Sequence, residues 1–235
     1  MVRKRMSDGI VAEFLQKIGA GEIPEGSPLP TEATLCGNYG VSRSVVREAI
    51  GALCAKGFIR VSQGSASTVA PRNQWHVLDS AFLELNSGRE YFTYLQEARE
   101  LLEPQIAALA AANALPEDLA ELDALQREFD VANNPDHHAE LDIRFHQAIA
   151  ESTKNPVVAS LHESISGLGY RTRLHSAAIP GAIERARFWH SRILECLIGQ
   201  DSAGAKSAMR LHLRQVRDEL VIVSPQRDNR TESKQ

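Results

Sequence analysis

Residues 28–61 read PLPTEATLCGNYGVSRSVVREAIGALCAKGFIRV, and this stretch decides the fold of the first part of the chain. Thr31 follows a proline and has Thr34 three residues later, which predicts the capped start of a first short helix. The glycines of GNYG end that helix and favour a tight turn. Ser42 then caps a second helix. Its apolar residues recur at helical spacing, and they are Val45, Val46, Ala49, Leu53 and Phe58. The stretch therefore predicts a helix-turn-helix.

The segment QGSASTVAPR, residues 63–72, closes this region and predicts a two-stranded wing. In a helix-turn-helix, the first residues of the second helix meet base edges and phosphates, while its far face packs on the first helix. The polar side of that second helix begins with serines and arginines, so we expect it to contact double-stranded DNA. The expected contacts are Ser42, Arg43, Ser44, Arg47 and, through a backbone N–H in the wing, Gly64.

The net charge of −4 looks unsuited to a DNA-binding protein until the chain is divided. Residues 1–72 carry nine basic and six acidic side chains, whereas the remainder carries seventeen and twenty-four. A basic head on an acidic body fits DNA at one end and a different partner at the other. The 235 residues allow one or two domains.

The three cysteines show no paired spacing, and the chain begins without a secretory leader. Both features favour reduced thiols and a cytoplasmic protein. Apolar runs stay shorter than the roughly 18 residues that a membrane span needs. We therefore expect no membrane segment.

After residue 72 the strand signals stop and helical patterns follow. Prolines fall at the starts of these patterns or between them, as helix boundaries should. The short connections favour an antiparallel bundle. The predicted helices cover residues 75–87, 89–113, 117–132, 136–152, 154–176, 181–199 and 202–223. The chain is thus predicted to be mainly α, with a winged helix-turn-helix domain at 1–72, an all-helical domain at 73–223 and a polar, disordered tail at 224–235.

Four side chains of the predicted bundle could hold a metal ion. Asp142 and His146 are four residues apart on one helix and project from one face. His190 and His212 each fall inside the apolar stripe of their own helix. Imidazole and carboxylate ligands of this number suit a divalent ion, with zinc as the first candidate and nickel, manganese or iron as others. The alternative interpretation is a set of hydrogen-bonded core histidines.

Two further residues could meet a ligand. Arg99 lies between Leu95 and Leu102 at the edge of an apolar stripe, where a guanidinium needs an anionic partner. That partner is Glu103 or another carboxylate of the bundle, or the carboxylate of a bound effector. Asn155, just before a proline, is either a helix cap or an effector contact.

These motifs resemble the GntR family of bacterial transcription factors. LPTE, VSRSVVREAI and L-x-x-K-G-F-I carry the resemblance over residues 7–70, although Ala33 stands where some members have a guanine-reading arginine. EARELLEPQIAALAA, DIRFHQAIAESTKNP, the His190 segment and MRLHL are similar to the helical FCD effector domain of the FadR-like subfamily.

The resemblance has consequences for the ligands. It implies that Asp142, His146, His190 and His212 bind a divalent metal, and that Arg99 beside it meets a carboxylate effector. VAPRNQWHVLD, residues 69–79, is similar to the connector of sugar-acid regulators.

The sequence therefore predicts a ligand-responsive transcriptional regulator, most simply a repressor. It would bind a two-fold symmetric operator as a homodimer and respond to a small carboxylate such as a sugar acid. Two alternatives remain open. One is a regulator that senses the metal directly. The other is a metal-dependent hydrolase fused to a DNA-binding head. The sequence contains neither H-E-x-x-H nor G-x-S-x-G, and the absence of these motifs argues against a hydrolase.

Overall fold

The structure is a computed structural model, which describes residues 5–61, 66–79, 81–82, 89–166 and 170–223. By its internal packing the chain divides into two compact units, Met1–Tyr91 and Phe92–Gln235. Each unit has its own buried apolar core.

The first unit is a winged helix-turn-helix, as the sequence predicts. Its strands pair antiparallel, with Ile59 opposite Val69 and Arg60 opposite Thr68. Helix α1 packs on helix α3. The elements are α1 (Met6–Gly19), α2 (Glu32–Tyr39), α3 (Arg43–Ala55), β1 (Ile59–Arg60), β2 (Thr68–Val69) and a 3₁₀ turn at Arg72–Gln74.

Local chemistry explains how the two central helices begin and end. The Thr31 hydroxyl accepts a hydrogen bond from the backbone N–H of Thr34 at 3.2 Å and so caps α2. Gly40 ends α2 in the left-handed region, at φ 63°, where a side chain would be strained. Ser42 stands at the N-cap of α3 as predicted, but its hydroxyl pairs with the Ser44 hydroxyl at 2.8 Å and makes no bond to the helix backbone.

The helix predicted over residues 75–87 is wrong at its start, because residues 75–79 are not helical. The indole of Trp75 lies 5.4 Å from the ring of Phe58 and donates to the Ala70 carbonyl at 2.8 Å. Phe82 packs into the same core. These aromatic side chains hold the connector to the first unit, so the two units divide at Tyr91 and Phe92. The functional boundary that the sequence places after residue 72 stays a prediction.

All the regular elements among the described residues of the second unit are helices, which confirms the predicted fold class. Prolines begin three of its helices. The lack of an N–H group costs nothing there, because the first N–H groups of a helix have no acceptor within the helix. The helices are α4 (Arg89–Asn113), α5 (Pro116–Val131), α6 (Pro135–Glu151), α7 (Pro156–Ser166), α8 (Tyr170–Ala177), α9 (Ala182–Ile198) and α10 (Ser202–Val223).

Within the single helix predicted over 154–176, the structure describes α7 and α8. Residues 167–169 between them lie outside the described residues. The predicted tail at 224–235 lies outside the described residues.

Helix α6 is central to the second unit, since it packs against α5, α7 and α8. Its buried apolar residues include Leu141, Phe145 and Ile149. A side chain on the same buried face is therefore held in the middle of the bundle. Within the described residues, none of the helices has the length and apolar character needed to cross a membrane.

Candidate metal centre and DNA-reading surface

Asp142, His146, His190 and His212 come together in the interior of the bundle. Each offers a ligand atom within 4.8 Å of those of the other three, and all four side chains are buried. Asp142 Oδ1 lies 3.3 Å from His190 Nε2 and 3.8 Å from His146 Nε2. The i, i+4 spacing on α6 and the apolar stripes of α9 and α10 direct these residues to one point.

Most ring nitrogens of the three histidines make no hydrogen bond within the protein. Among the described residues, His146 Nε2 and both ring nitrogens of His190 and His212 are buried without a hydrogen bond. A buried imidazole normally pairs at least one nitrogen, because an unmade hydrogen bond costs about 1–3 kcal/mol. A metal ion would bind one nitrogen of each of these rings, so the residues present fit such a group.

Glu103 on α4 supports the cluster from outside. One of its oxygens lies 2.6 Å from His146 Nδ1, and the other accepts from Arg99 Nε at 2.7 Å. His162 Nε2 lies 3.7 Å from Glu103 Oε1. A metal-binding histidine commonly has such a carboxylate on its second nitrogen.

Burial and charge set the ionisation of these groups. Burial alone would raise the pKa of Glu103 and of Asp142, but neighbouring cationic groups outweigh it, and both pKa values lie well below their usual range. Burial lowers the pKa of His146 to about 4 and that of His212 well below its usual value. At neutral pH the two carboxylates are therefore ionised and the imidazoles of His146 and His212 are neutral, which are the forms that bind a metal.

Two buried arginines flank the cluster. Arg99 is 3% exposed and Arg173 is 5% exposed. Arg99 pairs with Glu103, which is the internal salt bridge foreseen as one of its two roles. Arg173, on α8, donates to Asp142 Oδ2 and, at 3.2 Å, to the Ser166 carbonyl.

A pocket opens beside the cluster and includes Asp142 and His212 in its wall. Its lining residues are Arg99, His138, Asp142, Arg173, Ser176, Ala177, Ala182, Ala186, His212, Gln215, Val216 and Glu219.

Asn155 is a helix cap in the structure. Its side-chain oxygen accepts from the backbone N–H groups of Val157 and Val158, at 3.1 and 3.3 Å, and so caps α7. It is absent from the described lining of the pocket. Trp189, next to His190, packs partly buried against the core of the bundle.

Sequence reasoning missed Arg173 and His138. Arg173 lies in YRTRLHSA, a polar stretch in which no apolar stripe indicates an inward face. His138 lies one turn before Asp142, so the i, i+4 rule that linked Asp142 to His146 could also have linked it to His138.

The start of α3 forms an exposed polar surface on the first unit. Ser42, Arg43, Ser44 and Arg47 are all exposed. Arg47 is held by Glu32 of α2, because its Nε donates to both carboxylate oxygens at 3.1 and 3.0 Å. The terminal nitrogens of the guanidinium remain available for a base edge. Gly64 lies outside the described residues.

Comparison with known proteins identifies the architecture. Residues 6–69 match the model "Bacterial regulatory proteins, gntR family", and residues 94–215 match the FCD domain. The chain belongs to the GntR family of bacterial transcriptional regulators. It carries an FCD domain behind its DNA-binding head, as the sequence predicts.

The similar proteins are regulators as well. The galactonate operon transcriptional repressor of Escherichia coli K12 is 39% identical over 69% of this chain and 73% of its own length. The Exu regulon transcriptional regulator of the same strain is 32% identical over 89% of this chain and 82% of its own length.

Solved structures agree on the family and fold. A GntR protein of Streptococcus agalactiae is 27% identical and matches with a TM-score of 0.51 over 90% of this chain and 99% of its own. Lar, from a study of the Listeria monocytogenes agr system, is 20% identical and shares the fold with a TM-score of 0.65 over 95% of this chain and 100% of its own.

Proposed function

We propose that this GntR regulator is a metal-containing repressor whose hold on its operator responds to a small hydroxy-carboxylate bound in the FCD domain. The observation that carries the proposal is the buried Asp142, His146, His190 and His212 cluster, with its unpartnered ring nitrogens, at the wall of a pocket. A resemblance of the chain to a repressor of a galactonate operon supports the same class of effector.

The charges around the pocket favour an anionic ligand. Arg99 and Arg173 are balanced by Glu103 and Asp142, and the imidazoles of His146 and His212 are neutral. A divalent metal therefore adds two positive charges to a buried site, where uncompensated charge is strongly unfavourable. A carboxylate ligand would offset part of that charge.

The metal would be held by one carboxylate and three imidazoles. This donor set suits zinc first, with nickel, manganese and iron as alternatives. When bound, the ion supplies a positive centre that attracts hard oxygen donors. Arg99 would bind the same carboxylate through its planar fork, which fixes the orientation of the ligand.

The active form would be a homodimer on a two-fold symmetric operator. One small helix-turn-helix contacts few bases, and paired recognition helices read two half-sites. Helix α4 presents an apolar face to solvent, with Tyr94 at 54% and Leu101 at 74% exposure two turns apart. A second copy that covers this face would give the paired arrangement.

Titration calorimetry on the metal-loaded protein tests the proposal. The probes are lactate, aldonates, dicarboxylates and amino acids, and operator binding is measured in parallel with each. We expect a hydroxy-carboxylate to bind and to change operator affinity. Arg99→Lys should retain metal but lose this response, because a point charge cannot replace a bidentate fork; Arg127→Lys, at an exposed arginine, is the matched control.

The other outcomes distinguish the competing functions. Operator binding that follows metal concentration and ignores every acid would indicate a direct metal sensor. Consumption of an acid during the titration would indicate the hydrolase. Binding of amino acids or fatty acyl compounds alone would contradict the effector class and leave the regulator intact.

A further inference from the structure

The pocket continues well beyond the metal cluster. Along α10 its wall is formed by His212, Gln215, Val216 and Glu219, which share one face at helical spacing. The seven residue steps from His212 to Glu219 span about 10 Å along the helix axis. The ligand site therefore has a far end, one to two turns away from the metal donors.

The far end is polar and buried. Glu219 is 6% exposed and accepts hydrogen bonds from Ser176 Oγ at 3.1 Å and from Arg185 Nε at 2.6 Å. Gln215 Nε2 also donates to Glu219 Oε1. These contacts hold the side chains around Glu219 in place.

The same contacts fix the orientation of the Gln215 amide. A carboxylate accepts only, so the NH₂ group of Gln215 faces Glu219 and its oxygen faces elsewhere. Gln215 Oε1 is buried with no hydrogen-bond partner. Flipping the amide would place two acceptors against each other, so the oxygen stays unsatisfied within the protein.

A second unsatisfied group lies on α6, one turn before Asp142. His138 is 4% exposed, lines the pocket, and its Nε2 is buried without a partner. Its ring packs on Phe129 at 4.0 Å between centroids, which holds it in place. The pocket thus has two unpaired polar atoms, on α6 and α10, in addition to those that face the metal cluster.

We propose that His138 and Gln215, backed by Ser176 and Glu219, form a hydroxyl-binding subsite that selects acids with a polyhydroxylated carbon chain over short hydroxy acids. This inference rests on the proposed function, since the carboxylate end of the ligand lies at the metal and Arg99. A hydroxyl group both donates and accepts, so successive hydroxyls can satisfy an amide oxygen, an imidazole nitrogen and a carboxylate oxygen. A short acid such as lactate fills only the metal end and leaves both groups unpaired.

We expect the pocket to discriminate strongly between polyhydroxylated acids and short hydroxy acids. A site built to hydrogen-bond a substrate hydroxyl rejects an analogue that lacks it more strongly than an apolar pocket rejects a change of size. Each unmade bond to a buried group should weaken binding by about 10-fold. A six-carbon aldonate is then expected to bind at least about 10-fold more tightly than lactate or glycerate.

The test uses full-length, metal-loaded protein and calorimetry with lactate, glycerate and six-carbon aldonates. The variants are Gln215→Leu and His138→Leu, which remove the polar atoms and keep apolar volume. Each should weaken aldonate binding by about 10-fold and leave lactate binding unchanged. Gln105→Leu, at an exposed glutamine of α4, is the matched control. Metal content and thermal unfolding report whether each variant is intact, and Ser176→Ala provides a milder change at the same end.

The outcomes separate this inference from the function on which it rests. Equal affinity for lactate and aldonates, with no effect of the variants on either, would overturn the subsite and leave the carboxylate effector in place. Equal losses for both acids would also overturn it, because the residues would then act on the metal end. Absence of binding by every hydroxy acid would overturn the proposed function as well.

Discussion

Glu103 Oε2 lies 2.6 Å from His146 Nδ1, and this contact decides which nitrogen of His146 is free. Burial alone would raise the pKa of Glu103, but the charge of Arg99 and the hydrogen bond with His146 hold it well below its usual range, so the carboxylate can only accept. Nδ1 must therefore carry the proton and donate it to Glu103. The lone pair of His146 is then on Nε2, which faces Asp142 at 3.8 Å.

Glu103→Gln should weaken metal binding about 10- to 100-fold, as loss of a carboxylate behind a metal-binding histidine commonly does. The amide removes the charge that orients and polarises His146, and it leaves Arg99 without an ionic partner. Competition with a chromogenic chelator measures the affinity. Glu97→Gln, at an exposed carboxylate of the same helix, should have no effect. Equal affinities in the two variants would show that Glu103 does not position the metal.

His190→Ala combined with His212→Ala should abolish metal binding, because two of four donors are removed. Elemental analysis of protein purified without a histidine tag measures the metal, and we expect near-stoichiometric content before substitution. Asp142→Asn keeps the volume of the side chain and should also lose the metal. His137→Ala with His175→Ala, at two exposed histidines, is the control. Full metal content in the first double variant rules out this ligand set.

His146 should tolerate acid better than an ordinary histidine. Burial lowers the pKa of His146 to about 4, so its neutral, metal-binding form persists as pH falls from 6.5 towards 4. The NMR signals of its ring in metal-free protein should therefore change little between pH 7 and about 5. A titration midpoint of this ring between pH 7 and 6 would contradict the neutral state of the imidazole.

In the metal-free protein, the lowered pKa of His146 should make the free energy of unfolding depend on pH. Between pH 6.5 and about 4 the unfolded chain takes up a proton that the folded His146 does not. The free energy of unfolding therefore falls as pH falls through this window, by at most about 1.4 kcal/mol per pH unit for this residue. Chemical denaturation of chelated protein at several pH values measures the slope, and a flat profile would count against it.

Arg47→Ala should cost about 1–3 kcal/mol of operator affinity if the arginine reads a guanine edge, and it should relax specificity at that base pair. Loss of a phosphate contact would instead weaken all sequences evenly. Arg43→Ala should also weaken binding. Fluorescence anisotropy with operator and scrambled DNA separates these cases, with Arg127→Ala in the second unit as the control. Unchanged binding by both head variants would remove α3 from the DNA contact.

Most of the fold follows from local signals in the sequence. The apolar period of Val46, Ala49 and Leu53 fixes the buried face of α3, and the prolines fix the starts of α5, α6 and α7. The prediction of a helix in the connector was wrong because packing within the first unit overrides the local pattern. Trp75 and Phe82 have the spacing of an amphipathic helix, yet their rings fill the core of the first unit, and tertiary packing outweighs the local pattern.

The candidate site was predictable where a polar residue interrupts an apolar stripe. His190 and His212 stand out in this way, whereas Arg173 and Gln215 lie among polar neighbours and give no such signal. The bond between Glu103 and His146 joins residues 43 positions apart, and no spacing rule links α4 to α6. Partners of this kind become visible only once the helices are packed.

The carboxylate of Glu32 on the Nε of Arg47 bears on how the regulator searches a genome. Attraction to phosphates acts at every one of the millions of competing sites, and it weakens when a negative charge stands beside the arginine. Hydrogen bonds from the terminal nitrogens to a guanine are short-ranged and are kept. The Glu32–Arg47 ion pair would therefore shorten the time that the regulator stays bound to non-operator DNA more than the time that it stays bound to the operator. Glu32→Gln should raise affinity for random DNA more than for the operator, and an equal rise for both would refute this account of the search.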